Sequence, residues 1–224
     1  MLSHISAVPV NPQSAVFLLH GYGSNGYDMA SLAHYIQVDF PNTAFFCPNA
    51  PTPLSNDGFE WFSLDDYQPS ETMTLSYLTQ LNERARPAVT QMKAYLETIQ
   101  KQYGIPMCRI VIGGFSQGGL IALKTAFDLI DDVAGIIGMS AVPLNQPTVT
   151  QKRLPVLLTH GQADDVVPFA GMEFNQAILQ QMNQNVSTCV QPFMGHNIDE
   201  TCLQAVRFFL TSCLSEYPHD PDNS

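Results

Sequence analysis

The chain has 224 residues, 45% of them hydrophobic and 13% charged, with a formal net charge of −11. Such a length suits one larger domain with a sizeable core, spanning residues 1–224, and the acid excess excludes a nucleic-acid partner, which needs clustered Lys and Arg. The five cysteines include no CxxC pair, which excludes a zinc site and a disulfide scaffold, and no apolar run nears the ~20 residues that span a bilayer.

Residues 1–10 lack the basic and apolar regions of a secretory signal. Free, mostly buried thiols in a reducing cytoplasm are therefore expected. Residues 15–20 (AVFLLH) read as a buried strand, followed by a Gly-rich turn at 21–26 and a helix over 28–36. Residues 43–47 form the next short strand, closed by the turn-forming run Pro48-Asn49-Ala50-Pro51.

From Thr52 to Thr74 there is no clean period, yet Leu54, Phe59, Trp61, Phe62, Leu64 and Tyr67 make the stretch too apolar for a free linker. It is expected to fold over a site. Residues 75–103 carry Leu78, Leu81, Ala85, Val89, Met92, Leu96, Ile99 and Tyr103 at helical spacing, with a kink or division expected at Pro87 and a C-cap at Gly104.

Residues 109–115 (RIVIGGF) are β-branched and apolar, as a central strand should be. A helix over 118–130, strands over 133–139 and 155–160, a helix over 169–182, a strand over 187–192 and a closing helix over 199–214 complete the pattern. The polar tail, 216–224, is expected to fray. Alternating short strands and helices predict an α/β fold: a mainly parallel central sheet, flanked by helices on both faces, compact and without a separate lid domain.

Gly114-Phe115-Ser116-Gln117-Gly118 matches G-x-S-x-G between a strong strand and a helix. That context marks a nucleophile elbow, a strained turn that lifts the serine Oγ clear of the sheet. The elbow predicts an acid and then a histidine on loops after later strands. His160-Gly161-Gln162-Ala163-Asp164-Asp165 follows the strand 155–160, and Asp164 is preferred over Asp165 as the acid. Of six histidines, His196, on the loop before the last helix, is the one in the expected order and place. Ser116, Asp164 and His196 are thus the candidate catalytic residues. An oxyanion needs two N–H donors. The residue after the nucleophile, Gln117, supplies one, and Tyr22 in the loop His20-Gly21-Tyr22-Gly23 is the natural second.

HGYG (20–23), PNAP (48–51), WF (61–62), GFSQGG (114–119), HGQADDVVP (160–168) and GH (195–196) stand in order along nearly the whole chain. Together they resemble the phospholipase/carboxylesterase family, which includes acyl-protein thioesterases, lysophospholipases and small bacterial carboxylesterases. The resemblance implies an α/β-hydrolase fold with no metal or cofactor, the triad on Ser116, Asp164 and His196, and oxyanion donors on the backbones of Tyr22 and Gln117. It is also compatible with a homodimer. Tyr22, Ser63 and Asp165 depart from the Leu, Asp and Pro common in the thioesterases, which leaves the substrate open.

A serine carboxylesterase is expected, acting on esters or thioesters of short to medium acyl chains, with a small-molecule or lipid-like ester as its partner. The alternatives are a non-catalytic ligand receptor on the same fold, and a peptidase or other acyl hydrolase. Trp61, Phe62, Leu64 and Val167 are the expected pocket residues, with the 141–149 loop as another place for an acyl wall.

Overall fold

The computed structural model describes residues 2–55, 57–64, 74–129, 131–146 and 150–215. Tyr67, part of the 52–74 stretch, residues 147–149 and the tail from 216 lie outside them. The elements run β1 (His4–Ala7), β2 (Ser14–Leu19), α1 (Gly26–Gln37), β3 (Thr43–Pro48), β4 (Thr52–Pro53) and β5 (Phe59–Glu60). They continue α2 (Leu75–Arg84), α3 (Arg86–Tyr103), β6 (Ile110–Phe115), α4 (Gln117–Asp128), β7 (Gly135–Met139) and β8 (Pro155–Gly161). The chain then forms α5 (Phe169–Gln181), β9 (Asn185–Gln191) and α6 (Glu200–Leu214).

Seven strands form one sheet in the order β1-β3-β2-β6-β7-β8-β9, with β6 at its centre, as its apolar sequence predicts. All pairs are parallel except β1 with β3. The alternation of side chains along each strand feeds two cores. Phe17, Leu19, Ile112 and Leu158 face one way, toward α2, α3, α4 and α5 residues such as Leu81, Leu96, Leu120 and Met172. Val16, Leu18, Val111 and Leu157 face the other way, toward Met29 and Ile36 of α1 and Val206 and Leu210 of α6. Both faces are covered, which is why β2, β3 and β7 are buried throughout and read as continuous apolar runs.

The helix expected over 75–103, with a kink or division at Pro87, is divided: two helices meet at Ala85, and Pro87 lies in the first turn of α3. There its missing N–H would have had no partner in any case, so a new helix starts just before the proline rather than one helix kinking on it. Gly104 caps α3 with φ 68°, the left-handed conformation that suits glycine. The aperiodic stretch holds a short hairpin, β4 with β5, and β1 adds an edge strand that four mixed residues do not announce. Of the five free thiols only Cys47 and Cys202 are buried, whereas Cys108 is exposed and Cys189 and Cys213 are half-buried.

The parallel strands place the loops after β2, β6, β8 and β9 on one edge of the sheet. Those loops carry Tyr22, Ser116, Asp164 and His196.

Candidate active site

Ser116 sits between β6 and α4 with φ 55° and ψ −117°. A non-glycine residue held at positive φ costs about 1–3 kcal/mol, so the surroundings must impose it. They do so through the backbone. Ser116 N–H donates to Met139 O (2.9 Å), and Ser116 O accepts from Gly119 (3.1 Å) and Val142 (3.1 Å). The flanking glycines are required by contact: a Cβ on Gly114 would overlap Gly118 O, and one on Gly118 would come within 2.5 Å of His20 O. The helix α4 begins at the next residue, so its N-terminus and the Gln117 N–H open beside the hydroxyl.

Asp164 and His196 form a direct pair, His196 Nδ1 lying 2.8 Å from Asp164 Oδ2. The acid is fully buried in its side chain, and the histidine ring is mostly covered, resting on Phe115 at 4.6 Å between centroids. Asp164 Oδ1 accepts from the N–H groups of Val166 (3.0 Å) and Val167 (2.8 Å), which folds the acid loop around it. The acid and base loops are themselves bonded, Ala163 N–H donating to Met194 O at 3.1 Å. Burial alone would raise the Asp164 pKa. Hydrogen bonds from His160, His196 and the Val167 N–H outweigh it and hold the carboxyl well below the usual carboxylate range. An ionised Asp164 accepts only, so His196 Nδ1 carries the proton and Nε2 presents a free lone pair. Asp165 is exposed at the rim of the site.

His160, at the end of β8, bonds loop backbone. Its Nε2 lies 2.8 Å from Val167 O and also 3.2 Å from Asp164 Oδ2. With two acceptors before it, that nitrogen is the protonated one. His20 is fixed in the opposite tautomer: Nε2 accepts from Ala50 N–H (2.9 Å) and Nδ1 donates to Gly21 O (2.7 Å). Burial lowers its pKa, so it stays neutral. The buried thiols of Cys47 and Cys202 are pushed up to about 12 by burial and are no rival nucleophiles.

Ser116 and His196 line one cavity of about 860 Å³, with Gly21, Tyr22 and Gln117 also in its wall. Among the described residues, neither the Tyr22 N–H nor the Gln117 N–H donates to a protein acceptor. Leu64 and Val167 line the cavity as expected for pocket residues. Trp61 and Phe62 do not. They are 3% and 4% exposed and packed into the core beneath, because the Trp61 indole N–H turns inward to donate to His20 O at 2.9 Å. Val142, from the 141–149 loop offered as another place for an acyl wall, also lines the cavity, whereas Leu78 and Leu81 of α2 and Met29 and Leu32 of α1, all in the cavity wall, were missed by the sequence reading. On a helix, a stripe facing a cavity and a stripe facing a core have the same period. The buried Asn82 holds α2 in place, donating to Pro143 O (3.0 Å) and accepting from Lys124 (3.2 Å).

A mainly parallel sheet covered on both faces, with a serine elbow after its central strand, defines an α/β-hydrolase. The phospholipase/carboxylesterase family model matches residues 3–214, and the chain belongs to that family. It is a hydrolase of carboxylic ester bonds. It is 34% identical over 185 residues to acyl-protein thioesterase 1 of Cryptococcus neoformans, covering 75% of this chain and 74% of that protein. Acyl-protein thioesterase 1 of Neurospora crassa is 30% identical over 218 residues, 90% of this chain and 87% of that one. The crystal structure of esterase PE8 superposes with a TM-score of 0.84 at 30% identity, covering 95% of this chain and 99% of the other.

Proposed function

We propose that the chain is a serine carboxylesterase cleaving esters or thioesters of short to medium acyl chains, with Ser116 as nucleophile, His196 as base and Asp164 as orienting acid. The observation that carries this reading is the buried Asp164–His196 pair, 2.8 Å apart, opening into the same cavity as the elbow serine. Ser116 Oγ attacks the acyl carbon while its proton passes to His196 Nε2. The N–H groups of Tyr22 and Gln117 receive the developing oxyanion. The imidazolium, stabilised by Asp164, returns the proton to the departing alcohol or thiol. Water then repeats the sequence on the acyl-enzyme and frees Ser116.

The acyl chain is placed against the apolar side chains of Leu64, Leu78, Leu81, Val142 and Val167, and the leaving group toward the rest of the wall, where Tyr22, Ser24, Asp28 and Asn197 add polar groups beside Met29, Leu32 and Ile198. The free thiols support a cytoplasmic setting, and a homodimer is proposed on the family resemblance alone. No helix of the described residues is long and apolar enough to cross a membrane.

A fluorophosphonate probe should label the wild-type chain at Ser116 and fail on Ser116→Ala. A panel of p-nitrophenyl esters, acyl thioesters and anilides should show turnover of the first two. Labelling elsewhere, or turnover of the anilides alone, would contradict the reading.

A further inference from the structure

The two oxyanion donors belong to segments far apart in the chain. The parallel ladder that aligns β2 with β6 ends at Leu19 opposite Gly114, before either donor is reached. Beyond the ladder, a third segment ties them together. Trp61 N–H donates to the Gln117 side-chain Oε1 (3.0 Å), and Gln117 Nε2 donates to Phe62 O (2.8 Å). The amide of Gln117 thus bonds residues 61 and 62 as a neighbouring peptide group would, using one acceptor and one donor. On the other side, the Trp61 indole N–H donates to His20 O (2.9 Å), and its ring lies 5.5 Å from that of His20. Two antiparallel bonds follow, Gly23 N–H to Phe59 O (3.0 Å) and Phe59 N–H to Ser24 O (2.8 Å). These flank Tyr22. A Cβ on Gly58 would overlap the Gly23 carbonyl, so the segment lies directly on that loop.

Gln117 and Trp61 are both almost wholly buried, at 1% and 3% exposure. Water cannot replace these bonds, and breaking one leaves its partner unpaired. Oxyanion donors act only when held within a few tenths of an ångström of the reacting oxygen.

We propose that residues 59–62 and the Gln117 side chain form a strap that fixes the separation of the two oxyanion donors, which makes Trp61 and the Gln117 side chain positioning residues for the reaction. The proposal rests on the esterase reading above. It explains why Gln117 faces away from substrate while its backbone faces toward it, and why Trp61 lies in the core beside the site rather than in its wall.

The test uses Gln117→Met, which roughly keeps the volume and loses both amide bonds, and Trp61→Phe, which keeps an aromatic ring and loses the indole N–H together with part of the ring volume. Each is compared with wild type for kcat and KM on p-nitrophenyl butyrate, per site titrated by fluorophosphonate. Inhibition by an alkyl trifluoromethyl ketone and by the matching methyl ketone is measured alongside. The trifluoromethyl ketone is attacked by Ser116 Oγ, whose proton passes to His196, and its carbonyl oxygen becomes an oxyanion on the two donors. The methyl ketone only fills the cavity.

In Gln117→Met, kcat should fall about 10- to 100-fold with KM within about threefold. Trifluoromethyl ketone affinity should fall in proportion, and methyl ketone affinity should hold. Trp61→Phe should show the same pattern at about three- to tenfold. Unchanged kcat per titrated site in both variants, or a fall in kcat that leaves the trifluoromethyl ketone affinity untouched, overturns the strap. Failure of the wild type itself to take the phosphonate or the trifluoromethyl ketone at Ser116 overturns the esterase reading on which the strap rests.

Discussion

Two adjacent aspartates, Asp164 and Asp165, follow β8, and exchanging each for asparagine separates their roles. In Asp164→Asn the side-chain carbonyl can still accept from Val166 and Val167, so the loop keeps its shape. What changes is the group facing His196 Nδ1, now 2.8 Å from a neutral atom that donates rather than accepts. The imidazolium formed during attack loses a counter-charge worth about 4 kcal/mol at ~4 Å and an effective dielectric of ~20. At about 1.36 kcal/mol per factor of ten, that is roughly a thousandfold in kcat. The amide also favours the tautomer with the proton on Nε2, where it cannot accept from Ser116, which extends the loss toward ~10⁴-fold. Asp165 is exposed at the cavity rim, where its charge is screened, and Asp165→Asn should cost less than about tenfold. The assay is kcat/KM on p-nitrophenyl butyrate, with thermal melts as a check on folding. A larger loss in Asp165→Asn than in Asp164→Asn would refute the assignment, as would more than a tenth of wild-type kcat in Asp164→Asn.

Ser116→Ala and His196→Ala should each lower kcat about 10⁴–10⁶-fold in a folded protein, and the double variant should lose little more, since the groups act as a unit; additive losses in steady-state kinetics would contradict this. The Asp164 carboxyl is held ionised to well below the usual carboxylate range, so it should add no acid limb of its own to a kcat/KM profile at the ordinary carboxylate value of ~3.9 or above; a limb assigned to Asp164 in that range would contradict this. That depressed pKa also bears on stability. The contribution of Asp164 is complete above the unfolded carboxylate value of ~3.9 and drains as pH falls through the lower folded value. Asp164→Asn should therefore lower Tm at pH 7, and the gap to wild type should close in strong acid. Leu81→Phe should narrow the α2 side of the cavity and reduce kcat/KM for octanoate more than for acetate, against a wild-type rise of about threefold or more per carbon; equal loss across a series of p-nitrophenyl esters would move the acyl wall elsewhere.

The sheet was legible because parallel strands covered on both faces must be apolar throughout, as residues 110–115 are. Ser116, Asp164 and His196 could be picked out as candidates because the elbow needs glycines at 114 and 118 and its proposed partners follow later strands in order. Trp61 and Phe62 were misplaced for a physical reason. Apolar residues in an aperiodic stretch must be buried, but burial under the catalytic floor and burial against substrate cost the same, so composition cannot distinguish them. The indole N–H settles the matter, since a buried donor needs an acceptor and His20 O offers one below the site. His160 shows the reverse case. Its spacing of four residues from Asp164 was visible, but only the curl of the loop brings its Nε2 to 3.2 Å from the acid.

The elbow and the strap address one requirement from two directions. Attack needs an Oγ clear of the sheet, and φ 55° at Ser116 achieves that at a cost of about 1–3 kcal/mol. A chain free to relax would return the residue to ordinary φ. Relaxation here would break the bonds from Ser116 N–H to Met139 and from Val142 to Ser116 O, each inside the packed edge of the sheet. It would also pull Gln117 away from Trp61 and Phe62, unpairing groups that water cannot reach. The bonds that keep the serine strained are therefore continuous with those that aim the Gln117 N–H. A substitution that loosens the strap should be felt at the nucleophile as well as in the oxyanion hole, even though no strap side chain touches substrate.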